Sequence, residues 1–99
     1  MKLLPQKDPT EIVPITFDFA PDIASGATVT PVSVDVSVLN GEDSAPGDML
    51  QGAASATGAK VVQWIKAGKA GVSYAMRCVA TATDGQTLVL TSRLDVVAA

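Results

Sequence analysis

The 99-residue chain has no histidine, which removes both the commonest general base at neutral pH and the commonest metal ligand. Its one cysteine, Cys78, has no partner for an intramolecular disulfide. Aromatic residues are confined to Phe17, Phe19, Trp64 and Tyr74, so a core must be assembled from Val, Leu, Ile and Ala around those few large pieces. Such a core is thin, and marginal stability is expected. The 7 basic residues, against 10 acids, are scattered and form no stripe able to follow a phosphate backbone, so no nucleic-acid partner is expected. No apolar run approaches the roughly 20 residues of a membrane-spanning helix, and no membrane partner is expected. Met1-Lys2-Leu3-Leu4-Pro5 has the outline of an export signal, but Pro5-Gln6-Lys7-Asp8 closes the apolar stretch at once, and no export is expected.

The remaining polar residues offer little chemistry. Glu42, Asp43 and Asp48 share one turn-rich segment, but their spacing does not alternate ligands or close on a bidentate glutamate as a calcium loop does. Asp18 and Asp35 would project from the outer faces of strands and read as solvated surface acids rather than an acid–base pair. Serines are plentiful but have no histidine, lysine motif or nucleophile elbow to activate them. The glycines form no phosphate-binding pattern leading into a helix. No catalytic residue, cofactor or metal site is expected, and the chain does not read as an enzyme.

What the chain does contain is period-two alternation. In residues 72–83, Val72, Tyr74, Met76, Cys78, Ala80 and Ala82 share one face while Ser73, Arg77, Thr81 and Thr83 take the other, the pattern of a strand buried on one side. Cys78 is thus expected to act as a small buried hydrophobe. Asp84-Gly85 follows immediately. Glycine accepts the positive φ of a hairpin turn, so the chain should reverse into Leu88, Leu90, Ser92, Leu94 and Val96 on one face of the last strand.

Earlier in the chain, Val13, Ile15, Phe17 and Phe19 alternate to give a first strand, and Pro14 places it at a sheet edge or a bulge. Residues 28–39 form a second, with Val32, Val34, Val36 and Val38 facing inward. Asn40-Gly41 and Pro46-Gly47 bracket turn chemistry, and residues 48–59 are ambiguous between short strands and a helix. In residues 60–66 the set Val62 and Trp64 opposes the set Val61, Gln63 and Ile65. Both sets are apolar enough to suggest cover on both sides, and Trp64, like Tyr74, reads as core. Strands at this spacing, with turn signals between them, describe an antiparallel β-sandwich with Greek-key connections. Tyr74, just after Gly71 at the start of the penultimate strand, occupies the place of the corner tyrosine of immunoglobulin-like sandwiches.

Residues 1–10, with Pro5 and Pro9 and no regular period, are expected to be an extended arm preceding a domain over residues 11–99. The arm should be mobile in the free chain and become ordered on a partner. There Leu3 and Leu4 would supply apolar anchors while Pro5 and Pro9 keep the backbone extended.

Lys7-Asp8-Pro9, then Phe17-Asp18-Phe19-Ala20-Pro21, then Gly26-Ala27-Thr28-Val29 leading into a Val/Ser-rich strand resembles the opening of small tailed-bacteriophage virion proteins of the fibre-tail adaptor type. Gly68, Gly71-Val72-Ser73-Tyr74, the strand through Cys78, Thr83-Asp84-Gly85 and the close at Val96-Val97 are similar to the second half of that family. The resemblance runs from Lys7 to Val97 and lapses over residues 40–59. It implies an all-β, single immunoglobulin- or fibronectin-like antiparallel sandwich of about seven strands. It also implies a non-enzymatic virion structural protein, made in the host bacterial cytoplasm and present in multiple copies in a symmetric assembly. The expected role is to link tail or neck to fibres through contacts with other virion proteins. A capsid decoration protein contacting the major capsid protein, and a host-surface or carbohydrate-binding module, are the alternatives.

Overall fold

A computed structural model describes residues 2–98, with the backbone alone for Lys2; Met1, where the expected arm begins, and Ala99 lie outside the described residues. The chain folds as β1 (Lys2–Leu3), β2 (Val13–Asp18), β3 (Val29–Asn40), β4 (Leu50–Thr57), β5 (Lys60–Ile65), β6 (Ser73–Ala82) and β7 (Thr87–Asp95), with short 3-10 turns at Ala20–Asp22 and Pro46–Met49. Six are full-length strands, and the two-residue β1 makes a seventh. One sheet has the order β1-β7-β6-β3 and the other β2-β5-β4. Among the described residues every pairing is antiparallel except the parallel β1–β7 contact and the isolated parallel Lys7↔Val96 bridge. Leaving β1 aside, the triplets β3-β6-β7 and β2-β5-β4 reproduce the CFG and BED sheets of an immunoglobulin domain, strand for strand in chain order.

The alternation read around Cys78 is the alternation observed. Val72, Tyr74, Met76, Cys78 and Ala80 are buried, and Ala75 is buried as well because β6 lies between two neighbours in its sheet. Phe17, Val61 and Ile65 of the opposite sheet share the core with them, as do Phe19 just after β2 and Met49 at the end of the second 3-10 turn. The β6–β7 register runs without a break from Ser73↔Asp95 to Thr81↔Thr87. Gly85 turns the hairpin at φ +96°, with its N–H donating to the Ala82 carbonyl at 3.0 Å. Residues 48–59, ambiguous in sequence, become the end of a 3-10 turn followed by β4. The β4–β5 register slips between Gln51 and Ser55, so β4 is a strand with an irregular centre.

Two inward assignments change. Val32 is 62% exposed because the β3–β6 register shifts between Pro31 and Ser33, and the extra residue at that bulge turns outward. Trp64 is 48% exposed rather than core. On β5 the buried set is Val61, Gln63 and Ile65, which pair in register with Phe17, Ile15 and Val13, and period two then forces Trp64 to the outer face.

Cys78 is fully buried, and burial pushes its thiol from an ordinary 9.0 up to about 11. A raised acid pKa favours the folded state below the unfolded value, and this contribution is lost as pH rises from 9.0 to about 11. The melting temperature should therefore fall over that window, with a shallower fall in Cys78→Ala. Tyr74 shifts in the same direction and Lys7 in the opposite one, so the difference between the two proteins isolates the thiol. Thiol reagents should label Cys78 slowly in the folded protein and rapidly in urea, and fast labelling without denaturant would contradict its burial.

Candidate interaction surface

The arm is not free. Leu4 N–H donates to the Arg93 carbonyl at 2.8 Å, Lys7 N–H to the Asp95 carbonyl at 3.1 Å, and Val97 N–H returns to the Lys7 carbonyl at 2.9 Å. Leu4 is buried in the domain's own core, so it cannot anchor a partner as expected from the sequence; a leucine beside an open sheet gains more from burial there than from water. Leu3 is 65% exposed and Pro5 is exposed, while Pro9 is half-buried.

Lys7 is held more closely than its place in the arm suggests. It is 2% exposed, and its Nζ donates to the carbonyls of Ala67 at 2.6 Å and Asp8 at 2.9 Å. Ala67 is the one non-glycine residue with positive φ among those described, at +53°, a conformation that costs an alanine free energy and here carries a lysine-bound carbonyl. Burial pushes the Lys7 pKa down, against the opposing pull of Glu11 and Asp8. The turn that follows is closed locally. The Asp8 carboxylate accepts from Thr10 N–H and Oγ1, and the Glu11 carboxylate accepts from Asp8 N–H at 2.7 Å. The signal was present in sequence as an acid, a Thr two residues on and a Glu three residues on, the pattern of a self-bonded turn.

At the same end of the sandwich, the Tyr74 hydroxyl accepts from Lys69 N–H at 2.9 Å and donates to Asp43 Oδ2 at 2.7 Å. Asp43 also accepts from Ala45 N–H at 3.0 Å; that bond first, and Tyr74 second, hold its carboxyl below the ordinary range. Tyr74 thereby ties the loop after β3 to the loop before β6. Asp43 is committed to this network, and among the described residues no group of three or more His, Cys, Asp or Glu is placed to hold a metal ion. Asp84 does more than turn a hairpin. Its carboxylate accepts from Ala24 N–H and Gln86 N–H, which pins the loop after β2 to the β6–β7 turn.

Trp64 sits on the outer face of the three-stranded sheet, flanked in register by Pro14 of β2 and Gln51 of β4, and Ile12 is exposed just before β2. Gln63, its buried neighbour, donates from Nε2 to the Gly52 carbonyl at 3.1 Å and so satisfies the irregular centre of β4. Leu3, Val89 and Val97 mark the β1–β7 side, and Val32 and Leu39 mark the two register shifts of β3.

Exposed apolar side chains thus lie on several sides of the domain. The family model for the podophage GP4 fiber-tail adaptor protein gp77 matches residues 7–95. The chain belongs to that family. The adaptor therefore has a structural role in a phage particle. The matched region starts at Lys7 and ends at Asp95, the two residues whose backbones bond where the arm meets β7. No curated protein matches the adaptor.

Proposed function

We propose that the protein is a non-catalytic virion adaptor that joins tail or neck to fibres by protein–protein contacts, in multiple copies, after synthesis in the host cytoplasm. An adaptor needs at least two separate contact surfaces on one rigid body. The observation that carries this reading is Trp64, a large aromatic 48% exposed on one sheet face, while Leu3, 65% exposed, sits at the edge of the other sheet. Tryptophan is the residue type most enriched among those that dominate binding energy, and half-exposure in the free domain leaves that surface available. Leu3 and Pro5 remain arm contacts in this reading, Pro9 contributes through its exposed half, and Leu4 supports them from below.

Trp64→Ala should leave the fold intact, because the side chain is on the outer face, and should strongly deplete the adaptor or its fibres from purified particles. Normal occupancy of Trp64→Ala would remove this face from the interface.

A host-surface sugar-binding module is the second reading, favoured by the same exposed indole beside Gln51. Quenching of the single tryptophan's fluorescence by host glycans would support it. Capsid decoration is the third location, which imaging of particles distinguishes from the first.

A further inference from the structure

Each sheet ends in edges that must be kept from pairing with other chains, and three of the four are visibly guarded. β2 carries Pro14, β4 has the irregular stretch between Gln51 and Ser55, and β3 carries Pro31 and two register shifts. The fourth edge lies beside β7, whose outer side β1 and the arm after it cover only from Ser92 onward. From residue 87 to residue 90 it has no proline, charge or register break, and among the described residues it pairs with β6 alone.

The direction of its backbone groups follows from the bonds already described. In an antiparallel ladder the N–H and C=O of one residue point the same way, and the direction alternates along the strand. The Arg93 and Asp95 carbonyls point away from β6, since they accept from the arm. Across the unbroken register, Val89 and Thr87 share that parity, so their N–H and C=O groups point outward too. They open onto a groove of about 420 Å³ lined by Thr16, Phe17 and Asp18 of β2 and by Val89, Leu90, Thr91 and Ser92 of β7. Leu88 and Leu90 are only half-buried and face the core from this unfinished side, while Val89 is 45% exposed.

We propose that this groove receives an extended strand from a neighbouring virion protein, which adds to β7 in line with β1 and completes the four-stranded sheet; the proposal rests on the adaptor reading above. The added strand takes the outward N–H and C=O groups of Thr87 and Val89, and its alternate apolar side chains cover Leu88 and Leu90. The recessed shape selects the occupant. β1 already occupies β7 at Ser92 and Arg93 and β2 borders the groove across from β7, which suits a single extended segment rather than the whole sheet edge of a second copy.

Val89→Pro tests this, because it removes an outward N–H and leaves the β6–β7 ladder intact; proline is tolerated where the N–H faces away from the partner strand. Val89→Lys is the second variant, should the proline perturb folding. With melting temperatures near wild type, occupancy of either variant in particles should fall at least tenfold. Hydrogen exchange at Val89 should be fast in the free domain and slow in the particle. Wild-type occupancy of well-folded variants would overturn strand addition while leaving the adaptor role standing, whereas absence of the wild-type protein from particles would overturn that role as well. A dimer in solution that Val89→Pro abolishes would assign the edge to a second copy and contradict the proposed occupant.

Discussion

Removal of residues 2–8 is expected to lower the melting temperature by roughly 10 °C, the shift that about 2 kcal/mol produces in a domain of this size. Leu4 is 8% exposed, and burial of one leucine is worth about 2 kcal/mol. The truncation also strips the Arg93 and Asp95 carbonyls of their arm donors and leaves the Ala67 carbonyl without the Lys7 ammonium. The ordering entropy of the arm, about 1 kcal/mol per residue, offsets much of the gain from those bonds, and the burial of Leu4 sets the net sign. Lys7→Met separates the two contributions. It keeps the bulk, removes both Nζ bonds, and should cost about 1–2 kcal/mol through the unpaired carbonyls. Thermal unfolding followed by circular dichroism measures both. A truncated domain that melts with the full chain would mean that the arm is only laid against β7.

Tyr74→Phe should destabilise the domain by about 2 kcal/mol, since the hydroxyl is both acceptor and donor and one of its partners is a carboxylate. The ring still fills its fully buried site, so the loss is polar rather than a cavity. Lys69 N–H loses its acceptor and Asp43 Oδ2 its donor, which frees the loop after β3 from the loop before β6. The pH dependence identifies the cause. Asp43 is held below its ordinary value of 3.8, so its contribution is present above that pH and is lost as pH falls through the lower folded value. In Tyr74→Phe that acid-side loss should shrink, leaving a flatter stability profile below about pH 4. An unchanged melting temperature together with an unchanged acid limb would reduce Tyr74 to a packing residue.

The sandwich was legible because β6 and β7 alternate cleanly and face one core, and because Asp84-Gly85 can reverse the chain between them. β5 was harder. Val61, Gln63 and Ile65 against Val62 and Trp64 offer two faces of similar hydropathy, and size favoured the wrong one. What decides is the register with Ile15 and Phe17, a long-range fact that no local period contains. Gln63 is buried because the irregular centre of β4 presents a carbonyl to it, and that irregularity comes from a stretch of Gly, Ala and Ser with little local preference. The arm is hard to read for a related reason. Two prolines and no period suggest an extended segment, but whether such a segment floats or docks depends on β7 offering an open edge and on Leu4 finding the core. Lys7 shows the limit of composition most plainly, since a lysine in an arm reads as a solvated charge until Ala67 turns its carbonyl toward it.

The proposed role is that of a joint between tail and fibre proteins. Electron cryomicroscopy of intact particles, at a resolution that resolves the sandwich, tests that most directly. The account predicts density for the domain at the junction of tail or neck with the fibres, with the face around Trp64 and the β1–β7 side in contact with different proteins. Density over capsomer junctions, or particles without the domain, would contradict it.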